Sequence, residues 1–544
     1  MLSHMLSRAR AGQPLWLPDV RAAFLKSDGP GLILRLRLWD GGAREWRHRL
    51  PRWDGAAERE LVRSYLRASV FNALSVCGGR EAVFFFDAKE TDLAALVGEL
   101  EGLFRLHAPD RAGLGRVANI AERMGRAFGG AGETLRFSVA DMGSYAPLPG
   151  APARRVPDLA KTLRGLCAAA AARNLIGIDI GGTDIKLAVS AKGRLIALRE
   201  YDWNPAAFST AEELLSPILA LLREARDRLG AAPDGVGVSF PDIVVKDLIV
   251  GGETPKTDGI RRNRGVDYES EFAKIGALRD AVLAFCAPGG RCRITNDGNA
   301  AAFTAAMELA CGTEEEAAAV KNGVLAHTLG TDLGTGWLDA NGTIPSMPLE
   351  LYDLLIDLGN YPAAALPPED LRSTRNESSG LAGARRYLGQ AAAWRLAYES
   401  DIELVRDFIA LRGGMPVIRT EPEDQRKACL AHLMALADAG NSAAEEVFRR
   451  IGRHLAVLSR EAEFLLSPET DVRCLFGRFV KSPRCFTLLE EGFKETARHI
   501  ILKRADSTLA NTSLMRQLAD MPNASPAQFG QAVGAVYFAL TEEK

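Results

Sequence analysis

The chain has 544 residues, of which 47% are hydrophobic and 25% are charged, and its formal net charge is −2. This length exceeds what one hydrophobic core can organise, so it predicts several domains, and the ordinary composition predicts a globular protein. Because the net charge provides no broad positive field, neither nucleic acid nor a membrane is an expected partner.

The cysteines predict reduced thiols rather than a metal site. The sequence contains eight of them, at Cys77, Cys167, Cys286, Cys292, Cys311, Cys429, Cys474 and Cys485. No two have the C-x-x-C spacing of a zinc ligand set, so we expect no structural zinc. Scattered thiols, together with an N-terminus that lacks the apolar run of a secretory signal, predict a cytoplasmic protein.

Residues 1–145 predict a small α+β domain. In GLILRLRLWDGGAREWRHRL, leucines alternate with Arg35 and Arg37, and Asp40-Gly41-Gly42 supplies a turn, which is typical of a β-hairpin. The six arginines from Arg35 to Arg52 could contact phosphates, but we expect them to form the solvent face of a sheet. A helix (56–73), a strand (82–86) and a helix (92–106) follow, and the sequence does not indicate the role of this domain.

A Pro- and Gly-rich linker and an Ala-rich helix occupy residues 146–173, after which strands and helices alternate. Strands are predicted at 174–180, 185–190, 194–203 and 234–240, and a helix at 210–229. A strand at 292–295 leads into a helix that starts near Asn299. A strand, a Gly-rich turn and a strand recur at 324–338, so we predict two similar lobes, 174–310 and 311–544, with an insertion at 361–425.

The first hairpin, GIDIGGTDIK (Gly177–Lys186), has the residues of a phosphate-binding turn. Gly181 and Gly182 let backbone N–H groups approach an anion, and Thr183 adds a hydroxyl donor. Asp179 lies at the end of the strand, where its carboxylate suits a hydrated Mg²⁺. The alternative is that the glycines only tighten the hairpin and Asp179 caps it.

The second hairpin, LGTDLGTGW (Leu329–Trp337), repeats this arrangement with a set of small residues, namely Gly330, Thr331, Gly334, Thr335 and Gly336. Two Gly/Thr turns that face each other could hold the phosphates of one nucleotide from both sides. Neither turn has the G-x-x-x-x-G-K-[ST] pattern of a Walker-type loop.

Between the hairpins, ITNDGNAAAF (Ile294–Phe303) places Asn296 and Asp297 where a strand ends and a helix begins. One of these residues is expected to be the helix N-cap. The functional alternative is that Asp297 is a general base for an attacking hydroxyl and Asn296 binds the same substrate.

The order of these segments resembles the ROK family of bacterial sugar kinases and repressors, within the superfamily of hexokinase, actin and the heat-shock chaperones. Its motifs extend over residues 174–544. Besides the two hairpins and ITNDGNAAA, they are GVGVSFPDIV (Gly235–Val244), ALADAGNSAAEEVF (Ala435–Phe448), LLSPETDVRCLFGRFV (Leu465–Val480) and QAVGAVYFAL (Gln531–Leu540).

The resemblance implies an α/β actin-like ATPase fold with two ribonuclease-H-like lobes, preceded here by the N-terminal α+β domain. It implies that Asp297 is the catalytic base, that Asn296 binds the sugar and that Asp179 holds Mg²⁺ through water. The glycines and threonines of both hairpins would bind the phosphates of ATP, and Gly477 would lie beside the adenosine.

The chain also departs from the family pattern. The Cys-rich zinc loop of the family is missing. In LELYD (Leu349–Asp353), Glu350 matches the family's sugar-binding Glu, but Asp353 replaces its His, so hydroxyl recognition must differ. Glu350 could instead be an N-terminal acid of a helix, and we expect most charges of Glu253–Arg262 to be solvated.

These motifs predict an ATP-dependent kinase that phosphorylates a hydroxyl of a sugar or sugar-like substrate. Two alternatives are a non-catalytic, sugar-sensing ROK-like regulator and an actin-like ATPase that acts on a protein partner through residues 1–145. The sequence does not predict the oligomeric state, and a homo-oligomer is one of the alternatives.

Overall fold

The computed structural model of the chain describes residues 1–104, 115–129, 135–149, 158–251, 255–330, 333–359, 375–376, 381–505 and 509–542. No helix in these ranges is both long enough and apolar enough to cross a membrane.

The N-terminal region contains five helices and one four-stranded sheet. Its elements are α1 (Leu2–Arg10), α2 (Leu17–Phe24), β1 (Gly31–Arg37), β2 (Ala43–Arg49), α3 (Ala56–Cys77), β3 (Glu81–Phe86), α4 (Thr91–Phe104), α5 (Gly115–Gly129) and β4 (Arg136–Asp141). The strand order is β2-β1-β3-β4, and the predicted hairpin is confirmed. Alternation buries the leucines of β1 and leaves Arg37, Arg47 and Arg49 exposed. The predicted solvent face is only partly present, because Ile33, Val83 and Phe85 form a small buried cluster on it and Arg44 donates to the Leu466 carbonyl oxygen at 2.9 Å.

The first lobe follows α6 and alternates strands with helices. Its elements are α6 (Leu159–Ala170), β5 (Asn174–Ile180), β6 (Asp184–Ala191), β7 (Arg194–Asp202), α7 (Ala211–Leu229), β8 (Gly235–Phe240), β9 (Val244–Val245), β10 (Leu248–Ile249), α8 (Asp258–Arg262), α9 (Tyr268–Gly276), α10 (Leu278–Leu283), β11 (Arg291–Asn296) and α11 (Asp297–Ala310). Local signals set the helix bounds: Thr210 caps the start of α7 and Gly230, with a φ of +66°, ends it.

The second lobe contains the remaining elements. They are α12 (Glu314–Ala319), β12 (Val324–Leu329), β13 (Leu333–Leu338), β14 (Leu355–Asp357), β15 (Arg375–Asn376), β16 (Leu381–Gly383), α13 (Gln390–Ser400), β17 (Ile409–Arg412), β18 (Met415–Ile418), α14 (Arg426–Asp438), α15 (Ser442–Leu466), β19 (Val472–Gly477), α16 (Pro483–Lys494), β20 (Ile501–Arg504), α17 (Ser513–Ala519) and α18 (Pro526–Phe538).

The two large sheets have the strand orders β11-β8-β5-β6-β7 and β13-β12-β19-β20. Read from the other end, the second order corresponds to the first four strands of the first, and no strand in the described residues corresponds to β7. In each, a central strand pairs antiparallel with its hairpin partner on one side and parallel with a later strand on the other. A further parallel strand follows in both sheets. This is the order of a ribonuclease-H-like lobe, so the chain has the predicted α/β fold with two such lobes.

Helix α18 returns from the second lobe to cover the sheet of the first. A Cβ added at Gly177 of β5 would lie 2.0 Å from the carbonyl oxygen of Ala532, and one added at Gly237 of β8 would lie 1.9 Å from that of Ala535. The two glycines therefore allow the helix backbone to rest directly on the strands.

The N-terminal region shares one hydrophobic core with the second lobe. Buried residues of α2, α3 and β1 pack in the same cluster as those of α13, α15 and α16. The buried guanidinium of Arg21 makes a two-point ion pair with Glu461 of α15, at 2.7 and 2.9 Å, and lies 3.6 Å from the ring centroid of Phe464. The N–H of Leu15 donates to Asp357 at 2.7 Å. These contacts join the N-terminal sheet and helices firmly to the second lobe.

Candidate active site

The first hairpin turn is exposed to solvent at two of its residues. Gly182 and Thr183 are exposed, whereas the Gly181 N–H donates to the Asp184 carbonyl oxygen at 2.8 Å and closes the turn. The Gly181 carbonyl oxygen accepts from Trp203 Nε1 at 3.1 Å. Among the described residues, a Cβ added at Gly182 would have just the Lys256 side chain within 4 Å, at 3.9 Å from Cε.

Asp179 lies beside this turn, at the end of β5. Ser239 Oγ on β8 donates to Asp179 Oδ1 at 2.7 Å. Lys186 on β6 is the cross-strand partner of Asp179 in the antiparallel pair β5–β6. Burial raises the pKa of Asp179 to about 6, against the hydrogen bond from Ser239 and the positive charge of Lys186, and the charge of Asp297 raises it further. Asp179 and Asp297 therefore act on each other across the carboxyl ends of β5 and β11.

Asn296 and Asp297 occupy the junction of β11 and α11. Asn296 is the N-cap: its side chain accepts from the Gly298 N–H at 2.9 Å, and its Nδ2 donates to the Asp242 carbonyl oxygen at 2.9 Å. Helix α11 consequently begins at Asp297, two residues before the predicted start. Asp297 Oδ1 accepts from the same Gly298 N–H at 2.8 Å. The cap fixes both side chains at the first turn of α11.

The start of α11 contacts the second hairpin backbone to backbone. A Cβ added at Gly336 of β13 would lie 1.9 Å from the Gly298 carbonyl oxygen, and one added at Gly298 would lie 2.2 Å from that of Thr335. The Asn299 side chain accepts from the Trp337 N–H at 3.1 Å. Only glycine permits this approach, which places Asp297 beside the second lobe.

Within the second hairpin, the predicted residues differ in their surroundings. The Gly330 carbonyl oxygen accepts from the Gln390 N–H at 3.0 Å, and the Gly334 N–H donates to Thr328 Oγ1 at 3.0 Å. The Thr335 hydroxyl is buried and bonded to His327 Nδ1 at 3.0 Å, so it faces the interior and not the turn. Thr331 lies outside the described residues.

Gly477 ends β19 next to the end of β12. Its φ is +100°, and a Cβ there would lie 2.2 Å from the Leu329 carbonyl oxygen. Both conditions require glycine. Because Gly330 follows Leu329 directly, Gly477 and the second hairpin turn lie at neighbouring strand ends.

Glu350 and Asp353 lie in a segment held between α3 and β13. The backbone N–H groups of Leu349 and Glu350 donate to the carbonyl oxygens of Val76 and Ser75, at 3.1 and 3.0 Å, in the last turn of α3. Glu350 precedes a 3-10 helix (Leu351–Asp353) but makes no side-chain cap bond to it.

The carboxylate of Asp353 has an arginine partner. Asp353 is 2% exposed, and its Oδ1 lies 3.2 Å from Arg385 Nε. The Arg385 guanidinium stacks 4.0 Å from the ring centroid of Tyr352. Arg385 thus places hydrogen-bond donors beside Asp353, which a carboxylate by itself lacks.

Lys256 is a site residue that the sequence-based prediction missed. It stands in a 3-10 helix (Pro255–Thr257), donates to the Pro241 carbonyl oxygen at 3.3 Å and extends toward Gly182 of the first hairpin. We expected most charges of this segment to be solvated, with ligand contacts as the alternative. One lysine in a charged loop gives no sequence signal of such a contact.

The residues near Asp179 suit Mg²⁺ only in its hydrated form. No group of three or more His, Cys, Asp or Glu side chains in the described part of the chain could enclose a metal ion. A single carboxylate beside an open turn nevertheless fits an ion that keeps most of its waters and binds chiefly to nucleotide phosphates.

Comparisons with known proteins give no matching family model and no matching curated protein. Among solved structures, a ROK-family glucokinase from Streptomyces griseus in complex with glucose and AMPPNP is 18% identical, covers 67% of this chain and 99% of its own, and has a TM-score of 0.39. A ROK hexokinase from Thermus thermophilus is 16% identical, with coverages of 67% and 98% and a TM-score of 0.41.

A ROK-family transcriptional regulator, a homolog of the E. coli MLC protein, is 12% identical, with coverages of 67% and 81% and a TM-score of 0.37. At these identities and TM-scores the similarity does not decide what the chain does. The fold described above rests on the strand orders of the two large sheets.

Proposed function

We propose that the chain transfers the γ-phosphoryl group of ATP to a hydroxyl of a sugar or sugar-like polyol. The observation that carries this proposal is the position of Asp297. It is fixed at the first turn of α11, acts electrostatically on Asp179 beside one glycine turn, and is held against the second hairpin by the contact between Gly298 and Gly336.

In this proposal the two hairpins bind the nucleotide. Backbone N–H groups of Gly182 and Thr183 in the first turn, and of Gly330 and Thr331 in the second, would face the phosphates, and Gly477 leaves room for the adenosine. The N–H groups of Gly181 and Gly334 instead close their own hairpins. Asp179 would hold Mg²⁺ through its waters, and a bound ion would supply positive charge to the phosphates. Lys256 adds a positive charge above the first turn.

The acceptor lies on the side of Asp297. Its hydroxyl oxygen forms a bond to the γ-phosphorus as the bond from that phosphorus to the leaving oxygen of ADP breaks, and its proton passes to the Asp297 carboxylate. Asn296, Glu350 and the Asp353–Arg385 pair orient the other hydroxyls. Closing the lobes would exclude water, which otherwise competes as the acceptor.

The test is Asp297→Asn, which keeps the size and the hydrogen-bond acceptor but cannot take the proton. We expect the transfer rate, measured with a panel of sugars, to fall by about 10²–10⁴-fold, with thermal stabilisation by a non-hydrolysable ATP analogue preserved. Asp520→Asn, at an exposed position after α17, is the matched control and should have normal rates. Wild-type turnover in Asp297→Asn would contradict the proposal.

The same assay separates the two other functions. A sugar sensor would be stabilised by a sugar but would transfer no phosphate to it. An ATPase that acts on a protein would hydrolyse ATP at a rate that no sugar changes.

A further inference from the structure

Two cysteines that are 144 residues apart in sequence meet between α6 and the end of α11. The sulfur atoms of Cys167 and Cys311 are 3.3 Å apart, and both side chains are half-buried. Cys77, Cys292, Cys429, Cys474 and Cys485 are buried, so this pair combines proximity with partial access to solvent.

The helices around the pair hold it in place. Residues of α6, including Leu163, pack in one core with Ala306 and Leu309 of α11. Arg164 Nε donates to the carbonyl oxygen of Ala310 at 2.7 Å, which satisfies an end group of α11 one residue before Cys311. The meeting of the two sulfurs thus follows from helix packing and from a helix cap.

The hydrogen bond between the two sulfurs favours a thiolate on Cys311. The hydrogen bond from Cys167 lowers the pKa of Cys311, and the guanidinium groups of Arg164 and Arg516 act in the same direction, against burial and the charge of Glu308. The same hydrogen bond and burial raise the pKa of Cys167. A thiolate next to a protonated thiol is the arrangement in which the first attacks an oxidant and the second resolves the product.

We propose that Cys167 and Cys311 form a reversible disulfide when the protein meets a peroxide. The Cys311 thiolate attacks one oxygen of hydrogen peroxide, the O–O bond breaks, and one water leaves once a proton is taken up, which gives a sulfenic acid on Cys311. The Cys167 thiol then displaces the hydroxyl group as a second water and forms the S–S bond. Two thiols are oxidised, one peroxide is reduced, and a dithiol reductant reverses the change.

Little rearrangement is needed for this bond. The sulfurs must approach by about 1 Å to reach the length of a disulfide, which side-chain rotation can provide. The bond would join α6, which leads into β5 and Asp179, to α11, whose first residue is Asp297. Because the cross-link closes a long loop, it should stabilise the folded chain. This inference does not depend on the proposed phosphoryl transfer.

The experiment treats the full chain with hydrogen peroxide, blocks remaining thiols with N-ethylmaleimide and maps peptides by mass spectrometry without reduction. We expect one cross-linked pair that contains Cys167 and Cys311, is two hydrogens lighter than the two peptides, and is lost with dithiothreitol. The melting temperature should rise by several degrees on oxidation and return on reduction.

Variants identify the thiols. Cys167→Ser and Cys311→Ser should each abolish the cross-link and the rise in melting temperature. Cys286→Ser removes another half-buried thiol, whose sulfur lies 3.7 Å from the Val282 carbonyl oxygen, and should leave both unchanged. Over-oxidation of Cys311 without a link to Cys167, or N-ethylmaleimide on both thiols after peroxide, would overturn the proposal. Because the peptide map uses the wild-type chain, it decides even if a serine variant fails to fold.

Discussion

The side-chain amide of Asn72 pairs with both backbone groups of Leu355. Its Oδ1 accepts from the Leu355 N–H at 2.8 Å and its Nδ2 donates to the Leu355 carbonyl oxygen at 3.0 Å. The same Nδ2 also donates to Glu461 at 3.0 Å, and Asn72 is fully buried. One residue of α3 thus ties the N-terminal region to the segment that carries Glu350 and Asp353.

Asn72→Ala should destabilise the chain, because it leaves the N–H and carbonyl groups of Leu355 buried without this partner. We expect a loss of about 3 kcal/mol in the free energy of unfolding, measured as a lower urea midpoint. Arg63→Ala, at a more exposed position on the same helix, is the control and should change the midpoint little. Equal midpoints for Asn72→Ala and the wild type would show that the pairing does not stabilise the fold.

Gly336→Ala should separate the start of α11 from β13, because the new methyl group would lie 1.9 Å from the Gly298 carbonyl oxygen, a backbone atom that cannot rotate away. We expect a loss of roughly 3 kcal/mol in stability and a loss of phosphoryl transfer. Gly98→Ala, on α4 with open space around it, should be neutral or slightly stabilising by calorimetry. If both variants melt alike, the contact between the lobes is not as close as described.

Asp179→Asn should become more stable relative to the wild type as pH rises. Burial raises the pKa of Asp179 to about 6, so its contribution to stability is complete below its ordinary pKa and is lost as pH rises through about 6. The uncharged amide has no such loss, and the difference between the two proteins should grow by roughly 3 kcal/mol between about pH 4 and pH 7.

Melting temperatures of both proteins across that range provide the measurement. Asp267→Asn is a control of opposite sign, because hydrogen bonds from Ser270 lower the pKa of Asp267 and its contribution is lost as pH falls. If the difference in stability between Asp179→Asn and the wild type does not change with pH, burial does not raise the pKa of Asp179.

Lys256→Met keeps the aliphatic stem and removes the positive charge near Gly182. We expect kcat/KM for ATP to fall by about 10- to 100-fold, since a cation near the transferred phosphoryl group stabilises its developing charge. Lys274→Met, an exposed lysine paired with Glu271, is the matched control for steady-state kinetics. Equal kinetics for Lys256→Met and the control would remove Lys256 from the site.

The fold was predictable where local periodicity decides the structure. The hairpins at 31–49 and 174–191 and the strands predicted at 194–203, 234–240, 292–295 and 324–338 follow from alternation and turn residues, and their bounds agree within a few residues. Strands β9, β10 and β14–β20 were not predicted. Helix α3 runs to Cys77, beyond the predicted end at residue 73, because Gly78, with a φ of +61°, is what ends it. The partner of each buried face was not predictable, since a hydrophobic pattern does not name what covers it. The shared core of α3 and α15 is therefore visible only in the structure.

The candidate site also combines features that the sequence predicts with features that only the structure shows. Sequence motifs identified the turns that contain Gly182 and Gly330, and the strand ends that carry Asp179 and Asp297. They could not show that the Thr335 hydroxyl turns inward to His327, because the motif alone does not say which face of the strand is buried. The roles of these residues in binding and catalysis remain predictions.

The contact of α18 with Gly177 and Gly237 sets the order in which the protein can be completed. During translation the sheet of the first lobe is synthesised before Ala532 and Ala535. One face of β5 and β8 therefore lacks its contact with α18 until that helix has been made. The N-terminal sheet and α3 likewise lack part of their hydrophobic core until α15 has been synthesised. The first lobe, whose sheet begins at Asn174, therefore acquires its full core only after α18 has been synthesised.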